Sequence, residues 1–221
     1  MMREYAVIIM KLAIFDFDGT MYKHETFTLF MQHLKEQYPK KYKRFFATIL
    51  PIYVGYKCKI IREQNMKYKL MHHYVQAIRD LNTEETQQFF ADIAHKMDGD
   101  FHAEVIARVN AHKENGYHTM IVSGAFTPLL AEINKAYGID TLIGTDIPAP
   151  EAKLDHVHAE RKTDLIHAYT EGKDIRWAES FAYGDSIADL SVLELVGHPI
   201  AVAPDDELGN IAKERNWEII P

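Results

Sequence analysis

The sequence of 221 residues predicts an α/β fold, in which a doubly wound parallel sheet carries an inserted all-helical cap domain after its first strand. Apolar segments that are continuous rather than alternating indicate strands buried on both faces. Helical patterns separate most of these segments, which is typical of a parallel sheet covered on both sides. One long helical stretch, rich in aromatic residues, interrupts the alternation between the first and second strands. A chain of this length can bury one large core and still carry such an insertion.

The predicted strands share a continuous apolar character and lie at 12–15, 119–122, 181–183 and 200–202, with a weaker fifth at 141–143. The apolar run at 6–15 resembles a signal peptide in hydropathy, but Lys11 interrupts it and no small-residue cleavage site follows. We therefore interpret this run as one buried strand. Met10 is an alternative start of the chain, which would make residues 1–9 an extension.

Two helices after the second strand have recognisable ends. In the segment 127–138, Thr127 is placed as an N-cap, Pro128 occupies the first helical position, and Gly138 stands at the stop. The second helix, IADLSVLELVG at 187–197, is expected to end at Gly197. Both follow strands directly, as helices do in an alternating fold.

The predicted domains are a core formed by 1–21 and 106–221 and a helical cap at 22–105. In the cap, Pro39, Pro51 and Gly55 are expected to separate helices. Because the cap follows the first strand and precedes the second, it should lie over the ends of the strands.

Charge and composition narrow the class of protein. The net charge is −7, yet residues 38–70 contain nine Lys or Arg against one acid, so this stretch is +8 and the rest is −15. Most such runs are solvated faces; the alternative is a cap that steers or holds a substrate with several anionic groups. The single cysteine, Cys58, fits a reducing cytoplasm. No apolar stretch reaches the roughly 18 to 20 residues of a membrane span.

Polar residues follow three of the strands. Asp16 and Asp18 end the first strand, Ser123 and Gly124 follow the second, and Asp185 follows the strand at 181–183. Since parallel strands end at one edge of a sheet, Asp16, Ser123 and Asp185 should share one pocket. Clustered carboxylates need a positive partner, and oxygen ligands without His or Cys favour Mg²⁺.

This set of residues indicates phosphoryl chemistry. The carboxylate of Asp16 is ionised at neutral pH and could attack phosphorus, while a protonated Asp18 could act as the acid. Phosphate oxygens would need donors from Ser123 and the amides that follow it, close backbone approach at Gly19, and a lysine. Lys153 and Lys162 are both candidates for that lysine. We favour Lys162, because it starts the helix that precedes the GDS turn.

Four motifs stand in order along the chain: FDFDGT at 15–20, IVSGA at 121–125, Lys162, and YGDSIAD at 183–189. Together they resemble the haloacid dehalogenase superfamily, in its phosphoserine phosphatase-like branch, subfamily IB. The resemblance implies a Rossmann-like core. It is strong over residues 11–20 and 117–221 and only architectural across the cap.

The resemblance also implies a role for each motif residue. Asp16 would be the nucleophile that forms an aspartyl-phosphate, and Asp18 the acid and base, which also gives its backbone carbonyl to the metal. Ser123 and Lys162 would bind phosphate. Asp185 would be the Mg²⁺ carboxylate, supported by Asp189. Asp189 as a simple helix cap and Ser123 as a capping hydroxyl are the alternatives.

The function expected from these observations is Mg²⁺-dependent hydrolysis of a small phosphorylated metabolite. The acid at Asp18 favours rapid turnover, because dehalogenases and transport ATPases of the family lack it. A phosphotransferase is the alternative. Phosphoserine phosphatase proper is less favoured, since MYKHETF at 21–27 lacks a paired-acid pattern. A module that binds nucleic acid or anionic lipid would not need Asp18, so no nucleic acid is expected. Two histidine pairs are expected at the surface: His72 with His73, and His156 with His158.

Overall fold

The computed structural model describes residues 9–149 and 151–221. Within these residues the chain forms eight β-strands. They are β1 (Ile9–Met10), β2 (Leu12–Phe15), β3 (His118–Phe126), β4 (Thr141–Thr145), β5 (Asp174–Ile175), β6 (Phe181–Gly184), β7 (His198–Val202) and β8 (Glu218–Ile220).

The described residues also form nine α-helices, five of which separate β2 from β3. In chain order they are α1 (Thr26–Gln37), α2 (Pro39–Lys57), α3 (Glu63–Ile78), α4 (Thr83–His95), α5 (Ala103–Glu114), α6 (Thr127–Tyr137), α7 (Glu160–Thr170), α8 (Leu190–Leu193) and α9 (Asp206–Glu214).

Six strands form one sheet in the order β4-β3-β2-β6-β7-β8. Every neighbouring pair in it is parallel. The first strand of this sheet, β2, lies in the middle, with β3 on one side and β6 on the other. The chain thus builds outward from β2 in one direction and later returns to build in the other, which confirms the predicted doubly wound sheet.

Side chains of β2 alternate between the two faces of the sheet. Leu12 and Ile14 belong to the hydrophobic cluster that contains residues of α7, α8 and α9. Ala13 and Phe15 belong to the cluster that contains residues of α5, α6 and the helices before them. All four are at most 1% exposed, so the strand is buried on both faces, as its continuous apolar sequence predicts.

The apolar run at 6–15 is not one strand. Residues 6–8 lie outside the described residues, and the described part breaks at Lys11 into β1 and β2. β1 pairs with β5 in a separate two-stranded sheet. The Lys11 ammonium lies 4.5 Å from the centre of the Tyr117 ring. This position stabilises the charge of Lys11, whereas a place inside a buried apolar strand would not.

The helix at 127–137 begins one residue earlier than the sequence indicates. β3 runs directly into α6, so its last residue, Phe126, is the N-cap, and Thr127 is already helical. The Thr127 hydroxyl is buried and has no hydrogen-bond partner among the described residues. Pro128 is therefore the second helical residue rather than the first, and Gly138 ends the helix with a φ of 58°, as predicted.

The helix predicted at 187–197 is shorter than expected. A 3₁₀ turn at Ile187–Asp189 precedes the four-residue α8. The Asp189 side chain accepts hydrogen bonds from the amides of Asp185 and Ser186 at 3.3 Å, which tightens the first turn. Gly197 does not cap this helix; its amide donates to Trp177 at 2.8 Å.

The segment 22–105 contains α1 to α4 and the start of α5. Pro39 begins α2, but Pro51 and Gly55 lie inside it, so the expected breaks at these two residues are wrong. Pro51 is on the exposed side of α2. A bridge between Tyr22 and Phe101 joins the chain where it leaves and returns to the core.

The domain boundaries at 21/22 and 105/106 remain predictions, and residues 1–8 of the first core segment lie outside the described residues. α4 packs against α6, while α2 and α3 pack on each other. Among the described residues, no helix combines the length and the apolar character needed to cross a membrane.

Candidate active site

The polar residues predicted at the strand ends come together at the middle of the sheet, where its winding reverses at β2. They border a cavity of about 370 Å³. Its floor comes from the ends of β2, β3 and β6, and its wall from α1 and α3. Ligands of open α/β sheets bind at such a reversal point. The lining residues include Asp16, Asp18, Ser123, Gly124, Lys162 and Asp185.

Lys162 is the central cation of the cavity. Its Nζ donates to Oδ1 of Asp16 and to Oδ1 of Asp189, both at 2.6 Å, and all three residues are buried. Burial would lower the pKa of Lys162, but the charges of Asp16 and Asp189 outweigh it and raise that pKa. The alternative lysine, Lys153, is exposed and is not among the lining residues.

Asp18 is held by the first residue of α1. Its two carboxylate oxygens accept from the Thr26 amide at 3.1 Å and from the Thr26 hydroxyl at 2.9 Å. Burial, and then the charges of Glu25 and Asp16, raise the pKa of Asp18 well above its usual range, although the Thr26 bonds act in the opposite direction. Burial therefore shifts Asp18 toward its protonated form relative to an exposed aspartate.

Gly19 brings the backbone against Asp185. Its φ is 76°, a conformation that glycine adopts readily. A Cβ at this position would lie 2.3 Å from Oδ2 of Asp185, so a larger residue would displace the carboxylate. The backbone at Gly19 thus approaches Asp185 closely; its expected approach to phosphate oxygens stays a prediction.

Three carboxylates meet at this point. Oxygen atoms of Asp16, Asp185 and Asp189 lie within 4.8 Å of one another. Burial, and then neighbouring carboxylates, raise the pKa of Asp16 to about 6 and that of Asp185 to about 8. Because the three carboxylates repel one another when ionised, a divalent cation between them would stabilise their charged forms. The cluster is therefore a suitable site for such an ion.

The chemistry of the donor set fits a hard cation. Asp189 already accepts from Lys162 and from two amides, so Asp16 and Asp185 are the carboxylates best able to bind an ion. Both oxygens of the Asp18 carboxylate accept hydrogen bonds from Thr26, and Asp18 does not belong to the cluster of Asp16, Asp185 and Asp189. Carboxylate and carbonyl oxygens are the ligands that Mg²⁺ prefers.

Ser123 and Gly124 form the part of the cavity that follows β3. The Ser123 hydroxyl is buried and accepts from the Ala125 amide at 3.2 Å, so it caps this turn, and its own proton is able to donate. A Cβ on Gly124 would lie 3.3 Å from Nε2 of His156. The turn is thus packed closely against the loop before α7.

Several lining residues were not predicted from the sequence. His156 and His158 are half-buried at the cavity, so the expectation that they lie at the surface is wrong. Burial, and then the nearby charges of His158 and Lys67, lower the pKa of His156 to about 4, so it is neutral at pH 7. The topology could have predicted their position, since the loop after β4 begins at the same edge of the sheet as the other strand ends. The cap adds Glu25, Thr26, Phe27, Phe30, Met66, Lys67, Leu70 and Met71.

His72 and His73 are also half-buried rather than fully exposed. Neither is among the residues that line the cavity. Across the described ranges 9–149 and 151–221, the candidate metal cluster contains aspartates alone.

Comparison with known proteins gives a family match over most of the chain. The family model described as haloacid dehalogenase-like hydrolase matches residues 13–194. A probable phosphatase of Mycobacterium tuberculosis is 28% identical over 123 residues, which are 53% of this chain and 43% of that protein. The chain spans about half the length of the curated relatives it matches.

Solved structures show the same fold. A Bordetella pertussis protein of unknown function has a TM-score of 0.79 at 20% identity, covering 96% of this chain and 99% of that one. A phosphoserine phosphatase in its apo form has a TM-score of 0.63 at 18% identity, covering 96% and 93%. The fold is therefore similar to that of phosphoserine phosphatase-like proteins, as the motifs predict.

Proposed function

Because the chain belongs to the haloacid dehalogenase-like hydrolases, we propose that it is a Mg²⁺-dependent phosphatase that hydrolyses a small phosphomonoester. The observation that carries this proposal is that two aspartates, two residues apart in the sequence, have different hydrogen-bond partners. Asp16 is paired with Lys162 at 2.6 Å, whereas Asp18 is bound by the neutral Thr26. One side chain is thus kept available as a nucleophile and the other as an acid.

In the proposed mechanism a carboxylate oxygen of Asp16 attacks phosphorus. The new Asp16 oxygen–phosphorus bond forms as the bond from phosphorus to the ester oxygen breaks. Asp18 gives its proton to the departing alkoxide, so the alcohol leaves neutral. Asp18, now ionised, then removes a proton from water as the water oxygen bonds to phosphorus and the Asp16 oxygen–phosphorus bond breaks. This step releases inorganic phosphate, restores the Asp16 carboxylate and leaves Asp18 protonated.

The remaining residues would bind and orient the phosphoryl group. Lys162 would balance the charge of Asp16 and face phosphate oxygens, and the Ser123 hydroxyl and the Gly124 amide would donate to them. Mg²⁺, held by Asp16, Asp185 and the carbonyl of Asp18, would offset the negative charge of the phosphoryl group. Asp189 would keep Lys162 in place through their 2.6 Å bond.

The cavity supports a substrate with a small organic group. A volume of about 370 Å³ suits a metabolite rather than a polymer, so nucleic acid is not expected as a substrate. Phe27, Met66 and Leu70 line the cap side and favour an apolar portion of that group. We do not assign phosphoserine, since MYKHETF supplies one acid to the cavity, Glu25. The free thiol of Cys58 supports a cytoplasmic location.

Hydrolysis of p-nitrophenyl phosphate tests the proposal. We expect activity that requires Mg²⁺, is lost reversibly with EDTA, and falls by at least about 10³-fold in Asp16→Asn. Asp174→Asn, a change at an exposed acid, is the matched control and should keep full activity. An Asp16→Asn variant with unchanged kcat would overturn the mechanism. Inorganic phosphate as the sole product in the presence of added alcohols would exclude phosphoryl transfer.

A further inference from the structure

The exposed face of α2 carries large apolar side chains that the fold does not use. Phe46, Leu50, Tyr53 and Val54 are 45% to 51% exposed, and Ile60, in the turn after the helix, is 81% exposed. Their spacing along α2 places the first four on one side of the helix. We call these five residues the α2 stripe. A different side of α2 is buried through Phe45 and Ile49, so the helix is anchored without the stripe.

Positive charge surrounds the α2 stripe. Residues 39–62 contain seven Lys or Arg and no acid, in a chain whose net charge is −7. Lys41 is paired with Asp80 at the end of α3. Lys43 lies before the stripe, and Lys57 lies over the rings of Tyr53 and Tyr56 at its other end. The patch is therefore apolar in its middle and cationic at both ends.

We propose that the α2 stripe and its flanking lysines bind the surface of an anionic lipid bilayer. A helix with exposed Phe, Leu and Tyr side chains next to Lys and Arg is what lies in the interface of such membranes. The apolar side chains would enter the boundary between headgroups and acyl chains, and the lysines would contact anionic headgroups. Association would be peripheral, since no described helix could cross the membrane.

Charge and chemistry disfavour the other occupants. A symmetric contact with a second copy would place each cationic patch against its equal, and like charges repel across an interface. Nucleic acid would use the cations and the exposed rings of Phe46 and Tyr53, but it would leave the aliphatic side chains of Leu50, Val54 and Ile60 without an apolar partner.

Co-sedimentation of the full chain with vesicles tests the proposal. We expect binding to vesicles of phosphatidylcholine with about 30% phosphatidylglycerol and little binding to phosphatidylcholine alone. Raising the salt from ~50 to ~500 mM should weaken it, because screening shortens the range of the charges. Lys43→Gln and Lys57→Gln should each reduce partitioning about fivefold. Leu50→Ser should reduce it about tenfold.

Two variants away from the patch are matched controls. Lys213→Gln in α9 and Ile219→Ser in β8 change exposed residues of the same types and should bind as the unchanged chain does. All variants should hydrolyse soluble p-nitrophenyl phosphate normally, which separates this proposal from the phosphatase proposal. Absence of vesicle binding, equal loss in the controls, a dimer dissociated by Leu50→Ser, or tighter binding to an oligonucleotide would each overturn it.

Discussion

Asp16 and Asp18 face the same cavity but meet different partners. Lys162 bonds Asp16 from α7, whereas Thr26 bonds both oxygens of Asp18 from α1. The first contact lies within the core, and the second joins the core to the cap. The position of the Asp18 carboxyl group therefore depends on Thr26, a residue of the inserted segment.

Removal of the Thr26 hydroxyl should impair catalysis more than folding. In Thr26→Val the 2.9 Å bond to Asp18 is lost, while the amide bond at 3.1 Å can remain. We expect kcat for p-nitrophenyl phosphate to fall about 10-fold or more, because a misplaced acid protonates the leaving group poorly. The free energy of unfolding should fall by about 1 kcal/mol. Steady-state kinetics and urea unfolding measure the two effects.

Thr26→Ser is the matched control, since it keeps the hydroxyl and removes only a methyl group. It should restore most of kcat. Equal losses of kcat in the Val and Ser variants would mean that packing, and not the hydroxyl, determines the position of Asp18.

Substitution at Gly19 should weaken metal activation. In Gly19→Ala the new Cβ would lie 2.3 Å from Oδ2 of Asp185 at a φ of 76°, so the carboxylate must move. We expect the Mg²⁺ concentration for half-maximal activity to rise about 10-fold or more, since a ligand is displaced. Titration of activity with Mg²⁺ measures it.

Gly172→Ala separates backbone strain from this contact. Gly172 has nearly the same φ, 75°, but a Cβ there would meet nothing within 4 Å. In Gly172→Ala the free energy of unfolding should fall by about 1 kcal/mol, which is the cost of a positive φ for a residue with a Cβ. Its Mg²⁺ dependence should be unchanged. If both alanine variants shift the Mg²⁺ dependence equally, the contact with Asp185 is not the cause.

The part of the site at the strand ends was predictable from the sequence because parallel strands end together. Asp16, Ser123 and Asp185 belong to that part, and Lys162 could be placed from the helix that precedes β6. Thr26 and Lys67 could not be predicted, because their position depends on how the cap helices pack on the core. His156 was missed for a different reason, since a histidine in a loop carries no periodic signal.

Secondary-structure elements with a continuous apolar sequence were predicted, whereas elements that depend on tertiary contacts were not. The strand β2 was recognised because all four of its residues are apolar. α2 continues through Pro51 and Gly55, since its buried face packs on α3 and outweighs the local cost of both residues. β8 was missed because only Ile220 of its three residues is buried.

The contact between α5 and β6 should make stability depend on pH. Nε2 of His112 lies 2.8 Å from the Tyr183 hydroxyl, and burial, with the charge of Arg108, lowers the pKa of His112 to about 4. The unfolded chain, with a pKa near 6.5, binds more protons between these values. The stabilising effect is therefore complete above pH 6.5 and is lost as pH falls toward 4, at about 1.4 kcal/mol for each pH unit.

Unfolding in urea at pH 5 and at pH 7.5 measures this contribution. His112→Gln should reduce the difference between the two free energies of unfolding, because a neutral amide does not titrate. His167→Gln, at an exposed histidine of α7, is the control and should leave the difference unchanged. An unaltered pH dependence in His112→Gln would show that other groups cause it.

At the scale of the whole molecule, the cap and the core share one hydrophobic cluster. Phe126, at the junction of β3 and α6, has its ring centre 5.4 Å from that of Phe30 in α1, 6.1 Å from Tyr74 in α3 and 5.8 Å from Phe90 in α4. One core residue thus contacts three cap helices. We expect the cap and core to unfold together, because neither buries this cluster without the other.

Phe126→Ala should therefore destabilise the whole chain by about 3 to 5 kcal/mol, since it leaves a cavity where four aromatic rings meet. Urea unfolding followed by far-UV circular dichroism and by tryptophan fluorescence measures the change, because Trp177 and Trp217 report on the core alone. Phe46→Ala, at an exposed ring of α2, is the matched control and should change the free energy by about 0.5 kcal/mol or less. Coincident transitions by both probes in the unchanged chain are the expected result. Two separate transitions, with the fluorescence change unaffected by Phe126→Ala, would instead mean that the cap folds independently, and the position of Asp18 would then follow cap motion.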